Sequence, residues 1–421
     1  MQPKLLRQPR NPRPALFGLP RLATAYVNTA LVTLGLPAVI LHAAGDARKG
    51  LHLGLVTAAG ALVSIGVLYA SGSLSDRSRR TDGRTRLAIV GLAAALPPLA
   101  LLAWGTSYPF VLAATLALIA ARSLCDGSHL PILADRFAAA RPTRLAAFIA
   151  FYHFLGAGLG ALVFASGTRW SWGTIALYSP AAVVGMVVTL GALVGFRASS
   201  GGPPSVADSP QEPGPPALRR VMGRDLVSLL IARTFFLAGT LIITTFLYYL
   251  TRDVLAAANP QRTTGLLYAV AIAGALLFAL PVGRLTETVG EVPILFGSGS
   301  AIAVVAVLFL VAGSSRPAVA IACMLVYGAC SAALIGSGIS FLVRLVPHPA
   351  VAGRVMAVFT AATFVSQLLA SLTGAALLDP LNRVRAGAGY LGLVGALELY
   401  FALGAVFLLR VGARKTSAER P

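Results

Sequence analysis

Residues 72–86 read Gly-Ser-Leu-Ser-Asp-Arg-Ser-Arg-Arg-Thr-Asp-Gly-Arg-Thr-Arg, a dense basic stretch between two long apolar runs. A fainter copy lies 211 residues further on, where residues 283–290 read Gly-Arg-Leu-Thr-Glu-Thr-Val-Gly. The copies share the first glycine, the leucine two positions later and an acid two positions after that. A second pair, Arg144-Leu-Ala-Ala and Arg354-Val-Met-Ala, repeats at an offset of 210 residues. Two matches at nearly one offset indicate a duplicated chain.

The composition is that of an integral membrane protein. Hydrophobic residues make up 57% of the 421 residues, charged residues only 11%, and the mean hydropathy is +0.80. A soluble domain carries about 25% charged residues. The formal charge of +20 would suit nucleic acid, but the basic residues lie in short loops between apolar runs, so no nucleic-acid partner is expected. The three cysteines lie in apolar runs and have neither disulfide nor metal-ligand spacing.

Twelve apolar runs are long enough to span a bilayer, which takes roughly 20 residues. They are predicted at 22–44, 51–73, 87–106, 109–133, 145–167, 174–196, 226–250, 264–283, 293–313, 317–343, 355–378 and 389–409. The pattern predicts an all-α integral membrane fold of two pseudo-symmetric six-helix bundles. The expected layout is a basic N-terminus at 1–21, bundles at 22–196 and 226–410, a Pro- and Gly-rich linker at 197–225 and a tail at 411–421.

The basic residues of the loops predict the orientation. Alternate loops on the side of the termini hold 24 Lys or Arg, the other loops hold 8, and Arg122 and Arg233 lie within spans. The positive-inside rule therefore predicts that both termini and the linker are cytoplasmic. The abundance of Ala, Gly, Arg and Leu is typical of a GC-rich bacterial genome. We expect a multi-pass protein of the bacterial inner (plasma) membrane, in contact with membrane lipid.

The Gly-x-Leu-x-Asp-Arg pattern, followed by Gly-Arg, resembles the signature loop of the major facilitator superfamily of membrane transporters. The resemblance implies a cytoplasmic gate in which the loop's acid lies against the N-terminus of the eleventh helix. Such an attraction is worth roughly 0.3–1 kcal/mol when exposed, and it biases the conformational equilibrium because it exists in one gate state only. Alternatively, the arginines only set the topology. The implied gate residues are Gly72, Asp76, Arg77, Gly83 and Arg84, with Gly283 and Glu287 in the copy.

Only two acids lie deep within predicted spans, Asp126 and Glu398. A charge at the bilayer centre costs roughly 2.5–3.5 kcal/mol, so it should face protein or a water-filled cavity. Arg122, Asp126 and His129 form one stripe of the fourth helix, and the resemblance implies that this helix lines the central cavity. A carboxylate beside a histidine can take up and release protons, which predicts a proton-coupling site, although a static ion pair is the alternative. Glu398 is expected to bond a neighbouring helix.

Further candidates lie on the cavity helices. Arg233 either binds an anionic group or extends its charge toward the cytoplasmic interface. Asn28 and Tyr26 on the first helix are candidate substrate contacts. The fifth helix carries a glycine ladder at 156–160, which resembles the antiporter motif of drug exporters but also suits close helix packing. His153, on the same helix, is expected to be structural.

These patterns predict a secondary active transporter that moves a small organic solute by proton-coupled alternating access. The cavity helices offer few hydroxyl partners, which favours efflux of an amphiphilic compound. The loop also resembles that of glycoside-type sugar–cation symporters, so sugar import is an alternative, and a transport-inactive receptor of the same fold is another. The sequence has no catalytic triad, phosphate loop or metal cluster above chance. We therefore expect no enzyme activity, no cofactor beyond the proton gradient, and a monomer.

Overall fold

The computed structural model describes seven stretches of the chain, which are residues 14–77, 81–104, 107–137, 142–167, 173–199, 223–345 and 349–418. Within these stretches all regular secondary structure is helical. The reason is that lipid offers no hydrogen-bond partner, so each spanning segment must satisfy its own backbone N–H and C=O groups.

Twelve long helices follow one another along the chain. Helix α1 is continuous and has three segments, Pro14–Val27, the π-helical Asn28–Gly35 and Leu36–Ala44. The others are α2 (Lys49–Arg77), α3 (Thr81–Trp104), α4 (Tyr108–Phe137), α5 (Pro142–Ser166), α6 (Gly173–Ser199), α7 (Arg224–Tyr249, extended by the π-helical Leu250–Val254), α8 (Pro260–Val289), α9 (Glu291–Ala312), α10 (Pro317–Leu345), α11 (Pro349–Val384) and α12 (Ala388–Ala418). In the described residues, twelve helices hold an apolar segment long enough to cross a membrane, which confirms the predicted spans.

The helices form two bundles of six, α1–α6 and α7–α12, as predicted. In the N-terminal bundle, Leu31, Leu99 and Leu118 pack in one core. In the C-terminal bundle, Phe236 and Ile302 belong to a larger core. Because an even number of helices alternates in direction, the start of α1 and the end of α12 lie at the same end of the molecule. We call this the proximal end, and the opposite end, which carries the α1–α2 and α7–α8 connections, the distal end.

The two bundles meet along two helix pairs, α2 with α11 and α5 with α8. A Cβ atom on Gly54 of α2 would lie 2.4 Å from the carbonyl oxygen of Ser371 on α11. A Cβ atom on Gly265 of α8 would lie 2.8 Å from the carbonyl oxygen of Ala161 on α5. Only glycine permits backbones to approach so closely, and small residues are the usual means of close packing between membrane helices.

The glycine ladder of α5 also serves packing. A Cβ atom at Gly156 would lie 2.2 Å from the carbonyl oxygen of Leu22, and one at Gly160 would lie 2.8 Å from that of Tyr26. Both acceptors are on α1. The ladder therefore brings α5 against α1 inside the N-terminal bundle, which agrees with the packing interpretation.

Several helices extend beyond their apolar runs. Helix α1 begins at Pro14 rather than at residue 22, so Arg21, which the loop count assigned to the N-terminal tail, lies inside a helix. Helix α2 continues to Arg77 and α3 begins at Thr81, so most of the 72–86 stretch is helical rather than loop. Apolar composition marks the part of a helix that lies in hydrocarbon, whereas backbone hydrogen bonding continues into polar residues.

Candidate functional site

A buried polar cluster lies in the proximal part of the N-terminal bundle. Asp126 on α4 accepts a hydrogen bond from Arg21 Nη1 at 3.0 Å and another from Thr24 Oγ1 at 3.2 Å, both from α1. The side chains of Arg21 and Asp126 are only 22% and 11% exposed. Arg21 is roughly 10 Å from the start of α1 and Asp126 roughly 16 Å from the end of α4. The pair is therefore a partly dehydrated ion pair at membrane depth.

Arg122 and two histidines surround this pair. Arg122 lies close enough to attract Asp126 electrostatically, and its buried Nε atom has no hydrogen-bond partner among the described residues. His129 Nε2 is 2.8 Å from the carbonyl oxygen of Phe17 on α1. His153 on α5 lies close enough to Arg21 and Asp126 to interact electrostatically with both. The structure thus brings the predicted α4 stripe together, and it adds a second arginine that the sequence analysis had placed in the tail.

The two other α1 candidates have partners within their own bundle. Tyr26 is fully buried and donates to the carbonyl oxygen of Ala181 on α6 at 3.1 Å. Asn28 donates to Thr33 Oγ1 at 3.4 Å across the π-helical segment. Tyr26 therefore contributes to packing between α1 and α6. Asn28, which is half-buried, is the more accessible of the two.

Arg233 on α7 is the corresponding buried charge of the C-terminal bundle. Its Nη2 donates to Thr363 Oγ1 at 3.3 Å, and its guanidinium carbon lies 3.7 Å from the ring centroid of Phe359, both on α11. Its Nε and Nη1 atoms are buried and have no hydrogen-bond partner among the described residues. The side chain thus points into the bundle rather than toward a membrane interface.

The structure describes the side-chain environment of only some of the predicted cytoplasmic gate residues. The side-chain placements of Gly72, Asp76, Arg77 and Gly283 lie outside the described residues. Gly83 and Arg84 are half-buried in the first turn of α3. Glu287 is exposed near the end of α8. The gate contact expected for Asp76 therefore remains a prediction.

The distal end carries a set of inter-bundle ion pairs that the sequence analysis did not identify. Asp253, on the π-helical extension of α7, binds Lys49 at the start of α2 and accepts from the Tyr390 hydroxyl of α12. Arg252 donates to both carboxylate oxygens of Asp46, at 2.8 and 2.6 Å. Bidentate arginine–carboxylate pairs combine strength with fixed geometry. We call these five residues, together with Asp379, the distal latch.

Asp379 on α11 completes the latch by capping a helix of the other bundle. Its carboxylate accepts from the backbone N–H groups of Gly50 at 3.0 Å and Leu51 at 2.8 Å, at the N-terminus of α2. The first N–H groups of a helix have no partner within it and carry partial positive charge, which favours a carboxylate there. The resemblance implied this kind of contact for Asp76 at the proximal end. The structure contains it at the distal end.

Sequence reasoning missed the latch because its charges resemble ordinary loop charges. Asp46 lies in the α1–α2 connection and Lys49 is the first residue of α2, whereas Arg252 and Asp253 lie just before the α7–α8 connection. The available signal was a pair of opposite charges at equivalent places in the two halves. Among the described residues, no group of three His, Cys, Asp or Glu side chains could hold a metal ion.

The molecule consists of two six-helix bundles with repeated sequence. The distal latch joins the bundles at one end, and each bundle contains a buried charge. These features are those of a twelve-helix secondary transporter of the membrane. The chain belongs to the Major Facilitator Superfamily, whose family model matches residues 22–371. The search of curated proteins found no match.

Solved structures of the same fold are distant in sequence. A variant of the nucleoside transporter NupG has 14% identity and a TM-score of 0.70 over 96% of this chain and 99% of that one. A variant of the peptide transporter POT, in complex with sulfate, has 14% identity and a TM-score of 0.72 over 98% and 96%. The human organic anion transporter MFSD10 (TETRAN) has 17% identity and a TM-score of 0.64 over 93% and 98%. At these identities the likeness concerns the fold alone.

Proposed function

We propose that this chain is a proton-coupled transporter that works by alternating access, with Asp126 as the residue that binds and releases the proton. The observation that carries the proposal is the contact of Asp126 with Arg21 and Thr24 at membrane depth, beside Arg122. Ionisable residues in that position commonly mark proton relays and ion pathways. A carboxylate with 11% of its side chain exposed is still within reach of water.

Protonation of Asp126 changes the charge balance of the cluster. Ionised Asp126 offsets one of the two arginines, whereas neutral Asp126 leaves both without an opposing charge. The guanidinium groups stay protonated throughout, because arginine does not lose its proton in proteins. A cluster with two unopposed charges is harder to remove from water. Proton binding therefore alters the free energy of closing the proximal end over the cluster.

We also propose that the described conformation faces the cytoplasm. The charge count assigns the chain termini to the cytoplasmic side, so the distal latch closes the external face. Rocking of one bundle against the other would break the latch and bring the gate motif at 72–86 against α11. The two contact sets then belong to alternate states of one equilibrium.

We propose an amphiphilic solute and export as its direction. The support is compositional, since α1, α4 and α10 are rich in Ala, Leu, Val and Gly and offer few hydroxyl or amide groups. Helix α7 carries seven hydroxyl side chains in Arg224–Tyr249, but Thr234, Thr240 and Thr244 donate to backbone carbonyls of their own helix. A sugar needs many such partners. An apolar-rich cavity with a few buried charges suits a molecule with an apolar body and one polar group.

Proteoliposomes that contain a pH-sensitive dye test the proposal. A panel of sugars, nucleosides, peptides, amphiphilic anions and amphiphilic cations is added on either side, and proton movement is recorded. We expect at least one amphiphile to move protons with the wild-type protein and Asp126→Asn to abolish that movement. Glu398→Gln is the matched control, because it removes the other intramembrane acid outside the cluster. Full proton movement by Asp126→Asn would disprove the coupling role, and solute binding without any flux would indicate a receptor.

A further inference from the structure

The buried arginine of the C-terminal bundle lacks the acid that its counterpart possesses. Arg21 in α1 and Arg233 in α7 occupy corresponding places, 212 residues apart. Arg21 bonds Asp126, whereas no described carboxylate pairs with Arg233. The Arg233 guanidinium has five N–H donors, and Thr363 accepts from one of its nitrogens.

The sequence repeat explains this difference. Gly127 of α4 and Gly338 of α10 are 211 residues apart, so Ser337 stands where Asp126 stands in the first half. His153 of α5 and Thr363 of α11 are 210 residues apart, and Thr363 is the residue that bonds Arg233. With an offset of 210 residues, the residue that corresponds to Asp126 is Gly336. Helix α10 contains no Asp or Glu at any position, so the second copy has the arginine without the acid.

The surroundings of Arg233 favour an external anion as the missing partner. A Cβ atom on Gly338 would lie 3.4 Å from Arg233 Nη1, which shows that the guanidinium rests against bare α10 backbone. The neighbouring pocket is lined by leucines, among them Leu229 and Leu334, and its volume of about 10 Å³ holds no more than one water molecule in this conformation. The Phe359 ring and Thr363 contact the guanidinium but carry no negative charge, and a buried charge without an acidic partner is unfavourable. A guanidinium with free N–H groups matches the two oxygens of a carboxylate or phosphate.

We propose that Arg233 is the anion-binding residue of the substrate site and that the solute is an organic anion with an apolar body. This inference rests on the proposed transport function and specifies its substrate class. The carboxylate or phosphate group of the solute takes the place that Asp126 fills in the N-terminal bundle. Because the leucine-lined pocket beside Arg233 holds only about 10 Å³ here, the apolar body can lie against that wall only after the bundle has opened.

The test measures ligand-induced stabilisation of the full-length protein in lipid nanodiscs. Octanoate, 4-phenylbutyrate and phenyl phosphate are each compared with a neutral counterpart, namely octanamide, 4-phenylbutyramide and phenol. We expect at least one anion to raise the unfolding midpoint by about 3 °C or more at saturation, and its neutral counterpart to raise it far less. Arg233→Gln should abolish the difference. Arg316→Gln, which removes an exposed distal arginine, should keep it.

A second pair of variants supplies the missing acid from within the protein. A Cβ atom at position 338 would lie 3.4 Å from Arg233 Nη1 and 3.8 Å from Phe359, so Gly338→Asp is expected to place a carboxylate beside the guanidinium. We expect Gly338→Asp to unfold at a higher temperature than the neutral Gly338→Asn, and to lose anion-dependent stabilisation. Gly338→Asn should retain most of that stabilisation.

Two results would overturn the proposal. One is that no anion stabilises the wild-type protein more than its neutral counterpart. The other is that the anion effect survives in Arg233→Gln or in Gly338→Asp. Proton movement plays no part in this measurement. If no anion stabilises the protein, proton-coupled transport of a neutral solute is still possible. If Asp126→Asn does not change proton movement, the anion site at Arg233 is still possible.

Discussion

At the scale of single residues, two arginines flank one buried acid in the N-terminal bundle, and a third arginine lies apart from it in the C-terminal bundle. Arg21 and Arg122 flank Asp126 in the N-terminal bundle, and Arg233 lies alone in the C-terminal bundle. Because an arginine stays charged in the membrane, the proton state of Asp126 controls the net charge of the first group. Arg233 has a fixed charge that the Phe359 ring offsets only in part and that an anionic ligand would neutralise.

The two corresponding arginines should respond oppositely to the same substitution. Arg21→Met leaves Asp126 with only Arg122 to offset it, and we expect a loss of roughly 2 kcal/mol in the free energy of unfolding. Arg233→Met removes a buried charge that has no acidic partner and only the Phe359 ring and Thr363 as contacts, and we expect a gain of roughly 1 kcal/mol without ligand. Thermal unfolding in nanodiscs measures both. A lower midpoint for Arg233→Met would show that the arginine is already compensated.

At the residue level, the sequence allowed isolated intramembrane charges to be located but did not reveal their partners. Asp126 was identifiable because an acid within an apolar run has few structural explanations. Arg21 was missed because the apolar run begins after it, although the helix begins at Pro14. The latch pairs were missed because Lys49 and Asp253 lie 204 residues apart, and only the packed bundles bring their connections together.

At the scale of helices, apolar runs predicted all twelve spans, since length and hydropathy are sufficient to identify a membrane helix. The helix ends were not predictable, because polar residues continue a helix outside hydrocarbon. The turn between α8 and α9 illustrates what local sequence can specify. Gly290 has a φ of 93°, a conformation that favours glycine, and α9 begins at the next residue.

The contact between α2 and α11 should depend on Gly54. A valine there would meet the Ser371 carbonyl oxygen and force the helices apart. We expect Gly54→Val to disfavour distal closure, and Gly66→Val on the same helix to be harmless because open space surrounds Gly66.

The opening of the distal end can be measured by the rate at which a thiol reagent labels a cysteine introduced at Ala58. Ala58 is buried and lies one turn from Gly54 on the same face of α2. On a background without native cysteines, Gly54→Val should raise the labelling rate by about tenfold. Equal labelling of the Gly54→Val and Gly66→Val proteins would show that this contact does not hold the bundles together.

At the scale of the whole molecule, the proton site and the latch lie at different depths. The Asp126 cluster is in the proximal part of the N-terminal bundle, roughly 27 Å along α4 from its distal end. Communication between them therefore requires rocking of the bundles. A neutral residue at position 126 leaves Arg21 and Arg122 unopposed, which disfavours removing them from water by closing the proximal end. Neutralisation should favour the distal-closed state, and loss of the latch should favour the distal-open state.

One conformational equilibrium links the Asp126 cluster and the distal latch. Distance measurement between two spin labels by double electron–electron resonance tests this most directly. Labels at Ser107 and Arg316, exposed residues of the distal connections in the two bundles, report distal opening in a protein without native cysteines. We expect two distance populations in the unmodified background, a larger long-distance population in Asp46→Asn/Asp253→Asn, and a smaller one in Asp126→Asn. A single distance that none of these substitutions changes, or a longer distance in Asp126→Asn, would contradict the account.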